Sequence, residues 1–210
     1  MKRRVIFLLA AIASVLALLA VGPAQAQAAT NGSGTNRTTA PLPKQVEKRI
    51  AELRARGAKI LDVTSAPYEK VSKKAKSSGD VLDRLPYGGK PSGKAAASPD
   101  AYPTGCGLWV LVYREGNRIY NSSLTSCLYQ VLDIQMHSGL AWSRWWGWEE
   151  LYAQTFDTDD SSSLDTYIWV DCTGTGTHDY QGVTNGFIET YNGDEYEAAA
   201  YDEIDRVECG

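Results

Sequence analysis

Short apolar runs broken by Gly, Asn and Ser fill the second half of the chain, whereas the first half has one long apolar run and then polar sequence. Residues 107–114 read as a strand, Glu115, Gly116 and Asn117 as a turn, and 118–120 as the start of the return. Residues 127–136 alternate, with Leu128, Leu132, Ile134 and Met136 on one face. Further runs follow at 151–156, 166–172, 186–191, 196–201 and 204–209, with Asn192, Gly193 and Asp194 as a hairpin signal. About seven short strands in about 105 residues predict an all-β fold, a small β-sandwich or barrel. Ala198, Ala199 and Ala200 also permit a helix over 194–206, but the alternation there favours a strand.

Ahead of this region the pattern predicts an export signal and an arm. Lys2, Arg3 and Arg4 precede an apolar run over 5–21, then Pro23 and small residues at Ala24, Ala26 and Ala28. These features predict a signal peptide over residues 1–28, cleaved after Ala26 or Ala28. The competing reading is an uncleaved anchor, since the run approaches the roughly 18 to 20 residues of a spanning helix. Arg3 and Arg4 also fit a twin-arginine signal, but disulfides that form after crossing favour unfolded export. A secreted chain with no membrane span after processing is expected.

Residues 29–104 read as a basic arm. Residues 29–42 lack periodicity and are expected to be disordered. A short helix is predicted over 43–56, with Val46, Ile50 and Leu53 on one stripe, a Glu52 to Arg56 pair and Gly57 as its stop. Residues 70–100 read as a cationic linker unable to bury enough apolar surface to offset chain entropy. The β domain is then 105–210.

Charge follows the same division. Residues 27–104 carry 14 basic and 7 acidic side chains, a net +7; residues 105–210 carry 4 and 18, a net −14. All six tryptophans and nine of the twelve tyrosines lie beyond residue 105, so the second half is expected to build the core. The arm suits weak contact with anionic wall polymers, although a solvated spacer explains it as well. No nucleic-acid motif is present, and no nucleic-acid partner is expected.

Four cysteines, Cys106, Cys127, Cys172 and Cys209, allow three disulfide connectivities. Cys106 with Cys127 and Cys172 with Cys209 is the favoured set, because each pair brackets a hairpin-like unit. No Cys-x-x-Cys spacing supports zinc, and no metal or other cofactor is expected.

The densest chemistry lies between Trp142 and Tyr152. On one extended strand Arg144, Trp146, Trp148, Glu150 and Tyr152 share a face, and these five are the candidate binding residues. Aromatic rows flanked by polar side chains suit sugar stacking or anchor a protein interface; buried, they are simply core. Asp157, Asp159, Ser161, Ser163 and Asp165 space oxygen ligands like a calcium loop. Ser162 and Ile168 replace the Gly and the bidentate Glu of an EF-hand, so an acidic turn is the simpler reading.

Catalytic signals are thin. His137 and His178 are the candidate bases, outside any nucleophile motif, and Glu150 with Asp171 is one conceivable cross-strand carboxylate pair. The glycine-rich stretch at 174–178 reads as a strand connection. Asn31, Asn36 and Asn121 match glycosylation sequons.

Cys106, Trp109, the Trp142 to Trp148 cluster, Cys172-Thr-Gly-Thr-Gly-Thr and the closing Arg206-Val-Glu-Cys209-Gly carry a resemblance of layout. The chain resembles small secreted, disulfide-containing β-domain proteins of filamentous Gram-positive bacteria. That resemblance implies the compartment and suggests the fold, and carries no activity. The expected function is a secreted, non-catalytic domain recognising an extracellular glycan or protein through an aromatic-rich surface. The alternatives are an extracellular hydrolase and a secreted inhibitor of an enzyme.

Overall fold

The computed structural model describes residues 42–60, 63–71, 85–88 and 99–210. The export signal, the stretch 29–41 and most of the 70–100 linker lie outside the described residues. The order is α1 (Lys44–Ala55), β1 (Thr64–Pro67), β2 (Glu69–Lys70), a 3-10 turn (Pro99–Ala101), β3 (Cys106–Glu115), β4 (Arg118–Arg144), β5 (Gly147–Asp171), β6 (Gly176–Glu189) and β7 (Glu195–Cys209). The seven strands form one antiparallel sheet in the order β1-β3-β4-β6-β7-β2, with β5 on the remaining edge of β4. β1 pairs with β3 and β2 with β7, and only Tyr68 separates them along the chain. A single kinked segment therefore bridges the two ends of the sheet and nearly closes a barrel. No helix among the described residues is long and apolar enough to cross a membrane.

The all-β reading holds, but the strands are fewer and longer in the tail than the pattern predicts. Residues 118–120 and 127–136 belong to one 27-residue β4, and 151–156 and 166–172 to one 25-residue β5. The reason is a polar layer inside the barrel. On β4 the inward positions run Ile119, Asn121, Ser123, Thr125 and Cys127, all buried. Asn121 Nδ2 donates to the carbonyls of Gly139 (3.0 Å) and Val183 (3.2 Å), while Ser123, Thr184 and Ser138 bond in series. Satisfied in this way, hydroxyls and amides are tolerated in a core, and they imitate loop composition in the sequence. Asn121 is fully buried, so its sequon is not a glycosylation site of the folded protein.

Apolar clusters lie on either side of that layer. Leu108, Val110, Ile134, Met136 and Ile188 fill one end; Val112, Leu140, Ile168, Tyr180 and Ile204 fill the other. Leu128 and Leu132, expected to share a face with Ile134 and Met136, are instead 61% and 38% exposed. A register shift between Ser126 and Val131 turns them outward. Residues 195–206 lie within β7, and Gly193 (φ +74°) makes its turn from β6.

Both favoured disulfides are formed. Cys106–Cys127 ties directly opposed residues of β3 and β4, and Cys172–Cys209 ties the end of β5 to the end of β7. With sequence separations of 21 and 37, each stabilises the fold by about 3 to 4 kcal/mol in the chain-entropy model.

The arm is corrected most. Helix α1 forms as the stripe predicts, and Gly57 (φ +85°) ends it. Val46, Ile50 and Leu53 are buried against Trp109, Leu111, Tyr113 and Leu124 on the outer face of β3 and β4. The expected Glu52 to Arg56 pair gives way to Lys48–Glu52 (3.8 Å) and Arg56–Glu115 (3.6 Å), the second tying helix to barrel. β1 and β2 also come from the arm, so the folded body begins well before residue 105. Alternation over only four and two residues, interrupted by Pro67, is too short to register as strands.

Candidate functional site

The tryptophan segment does not lie on one strand. Arg144 opposes Gly147 across a two-residue turn, so Trp145 and Trp146 cap the β4–β5 hairpin. Gly147 takes φ +129°, a conformation that favours glycine, and lets the chain reverse there. Trp145 is 92% and Trp146 59% exposed, with ring centroids 5.1 Å apart edge to face.

The base of the turn is fixed. Trp142 Nε1 and Arg144 Nε both donate to Glu149 Oε2, at 3.0 and 2.7 Å. The Arg144 guanidinium lies 3.8 Å from the Trp142 ring centroid and 5.7 Å from that of Trp146. Hydrogen bonds from Arg144 first, then Trp142, hold the Glu149 carboxyl below its usual range. The His178 ring centroid lies 4.5 Å from that of Trp142.

The five candidate binding residues therefore part company. Arg144 joins Trp142 and Glu149, and Trp146 caps the turn. Trp148 and Glu150, opposite Ser143 and Ala141, share the other face, where residues 85–88 cross β4 and β6. Gly88 packs on Trp148 and its amide donates to Gln181 Oε1 (2.7 Å). Tyr87 lies over Gly139 beside Glu150; burial first and that carboxylate second raise its phenol pKa. Tyr152 lies beyond a register shift, opposite Leu140, and donates to Gln154 Oε1 (3.0 Å). The single ladder fails because a hairpin turn and a bulge interrupt the alternation it assumed.

The other candidates are also dispersed. Asp157, Asp159 and Asp165 lie along β5 rather than in a turn, opposite Gln135, Asp133 and Leu124, so no calcium loop is formed there. Glu150 lies beside Tyr87, whereas Asp171 interacts with Thr173 and Arg118, so the two carboxylates have different neighbours. His178 places Nδ1 3.0 Å from the Ser143 carbonyl and Nε2 3.0 Å from the Thr175 carbonyl, two acceptors of which a neutral ring donates to one. His137 Nδ1 meets Thr155 Oγ1 at 2.8 Å. Among the described residues one acidic cluster was not foreseen: oxygens of Asp179, Glu203 and Asp205 gather within 4.8 Å. Burial, then the charges of Asp205 and Asp179, push the Glu203 carboxyl up.

An aromatic grouping was missed as well. Tyr113 opposes Tyr120 and Tyr120 opposes Trp169, so three rings share one row across β3, β4 and β5 on the outer face, beneath α1. Nothing in a linear sequence announces such a row, because it depends on the register of strands about 50 residues apart. No protein-family model matches this chain, and no curated protein matches it either.

Proposed function

We propose that the chain is a secreted, non-catalytic binding domain that recognises an extracellular glycan or protein through its tryptophan-capped hairpin. The observation that carries this reading is the pair Trp145 and Trp146, projecting into solvent from a base held by Arg144, Trp142 and Glu149. Large exposed indoles contribute nothing to folding, and rigid aromatic side chains lose little entropy on binding. The tip needs no reorganisation to meet a flat partner surface. The disulfides suit an extracellular setting.

A hydrolase finds less support, since His178 contacts two backbone carbonyls and Glu150 and Asp171 have different neighbours. An inhibitor would use the same hairpin with a protein partner. The test is a glycan-array and pull-down screen of the secreted chain against a Trp145→Ala, Trp146→Ala double variant. Loss of a binding signal with thermal unfolding unchanged supports the proposal, and identical binding profiles end it. A co-purified enzyme whose activity falls in the complex selects the inhibitor reading.

A further inference from the structure

The row of Tyr113, Tyr120 and Trp169 forms the floor of a cleft of roughly 350 Å3, at the small end of the range for ligand pockets. Tyr113 and Tyr120 stack face to face, centroids 4.9 Å apart and planes 4° from parallel. Their rings therefore stand on edge against the sheet. Tyr167, opposite Ser122, extends the floor by one step along β5. Three arginines surround it. Arg118 comes from β4, its guanidinium 4.0 Å from the Trp169 centroid. Arg49 comes from α1 and Arg56 is the residue that caps its C-terminal end, with Arg49 lying 5.8 Å from the Tyr167 centroid.

Each arginine has an acidic neighbour: Glu115, the one acidic lining residue, sits 3.6 Å from Arg56, Asp165 interacts with Arg49, and Asp171 lies opposite Arg118 in the sheet. Arg49 Nε is buried without an acceptor among the described residues. A buried donor of this kind is unfavourable until an acceptor meets it. Guanidinium groups bind carboxylate and phosphate oxygens through paired hydrogen bonds. Burial pushes the Tyr113 phenol up to about 12, so it remains a neutral donor at physiological pH.

We propose that the cleft between α1 and the outer face of β3, β4 and β5 binds a sugar ring carrying a single carboxylate or phosphate. The anion meets Arg49, Arg56 and Arg118, and the ring lies against Trp169 and Tyr167, which are 43% and 57% exposed. The acidic surroundings repel a dense polyanion and admit an isolated anionic group. The site lies at the opposite end of β5 from the tryptophan hairpin and stands independently of it.

The test is titration calorimetry of the secreted chain with glucuronate, glucose 1-phosphate and glucose, and with a neutral oligosaccharide ending in glucuronate. Binding of either monosaccharide acid, at least tenfold weaker in Arg49→Gln and in Arg118→Gln and absent for glucose, supports the proposal. Tighter binding of the oligosaccharide identifies a glycan terminus as the source; equal binding identifies a free sugar acid. Arg49→Lys keeps the charge but removes Nε, and is expected to recover only part of the affinity. Because Arg49 and Arg118 are separate probes, misfolding of one variant leaves the other to decide. Glucose binding as tightly as the acids, no binding of any probe at 10 mM, or affinity unchanged in both Gln variants overturns the proposal.

Discussion

The hydroxyl end of Tyr68 rests on the bare backbone of Gly186, where a Cβ would lie 2.1 Å from the phenol oxygen. That oxygen shares a 2.7 Å hydrogen bond with Thr125 Oγ1 inside the barrel. Tyr68 is the kink between β1 and β2, so this contact seats the segment that brings the two ends of the sheet together.

Gly186→Ala is accordingly expected to overpack the interior and destabilise the protein by about 1 to 3 kcal/mol. Urea unfolding followed by tryptophan fluorescence measures it. A midpoint equal to that of the unsubstituted protein would show that Tyr68 moves aside at no cost.

Stability is expected to rise as the pH falls from neutral towards the range in which the buried carboxyls take up protons. Burial is the largest cause raising Asp133, Asp165, Glu197 and Glu203. A carboxyl with a raised folded-state pKa binds its proton in the folded state first, so acidification through that pKa favours folding. Glu149 and Asp171 are lowered, by hydrogen bonds from Arg144 and Thr173, and oppose this at lower pH, as acidification passes below their unfolded values. Thermal unfolding across pH 3 to 8 should show a maximum on the acid side of neutrality. Glu203→Gln should flatten the rise, and stability falling steadily from pH 7 would contradict the assignment.

Gly139→Ala tests the seating of residues 85–88. The added Cβ would lie 2.1 Å from Tyr87 Oη and 2.2 Å from Leu85 Cδ1, so the segment must lift away. The Gly88 amide then loses its bond to Gln181. Hydrogen exchange at Gly88 should accelerate at least tenfold while the barrel amides keep their protection; unchanged exchange there would show the segment to be held by other means.

Much of the barrel was legible in linear sequence. A continuous apolar run marked β3, Glu115 to Asn117 and Asn192 to Asp194 marked two reversals, and the bracketing of hairpin units gave the favoured cysteine pairs. The length of β4 was not, because Asn121, Ser123 and Thr125 read as breaks until the partners that satisfy them are known. The site was legible only in composition. Trp146 stood out as a candidate and Trp145 only as a member of the Trp142 to Trp148 cluster, and whether they follow a strand or cap a turn depends on the β4–β5 register. Tyr113, Tyr120 and Trp169 come together only once three strands are aligned, and two of their three arginine neighbours, Arg49 and Arg56, lie in or at the end of a helix that the charge pattern had assigned to the arm.

The docking of α1 bears on maturation. A protease that released residues 105–210 would strip Val46, Ile50 and Leu53 from Trp109 and Leu111 and leave a greasy flank facing water. The shortest product that keeps this flank covered therefore starts upstream of Leu42, and recombinant expression should place its boundary there.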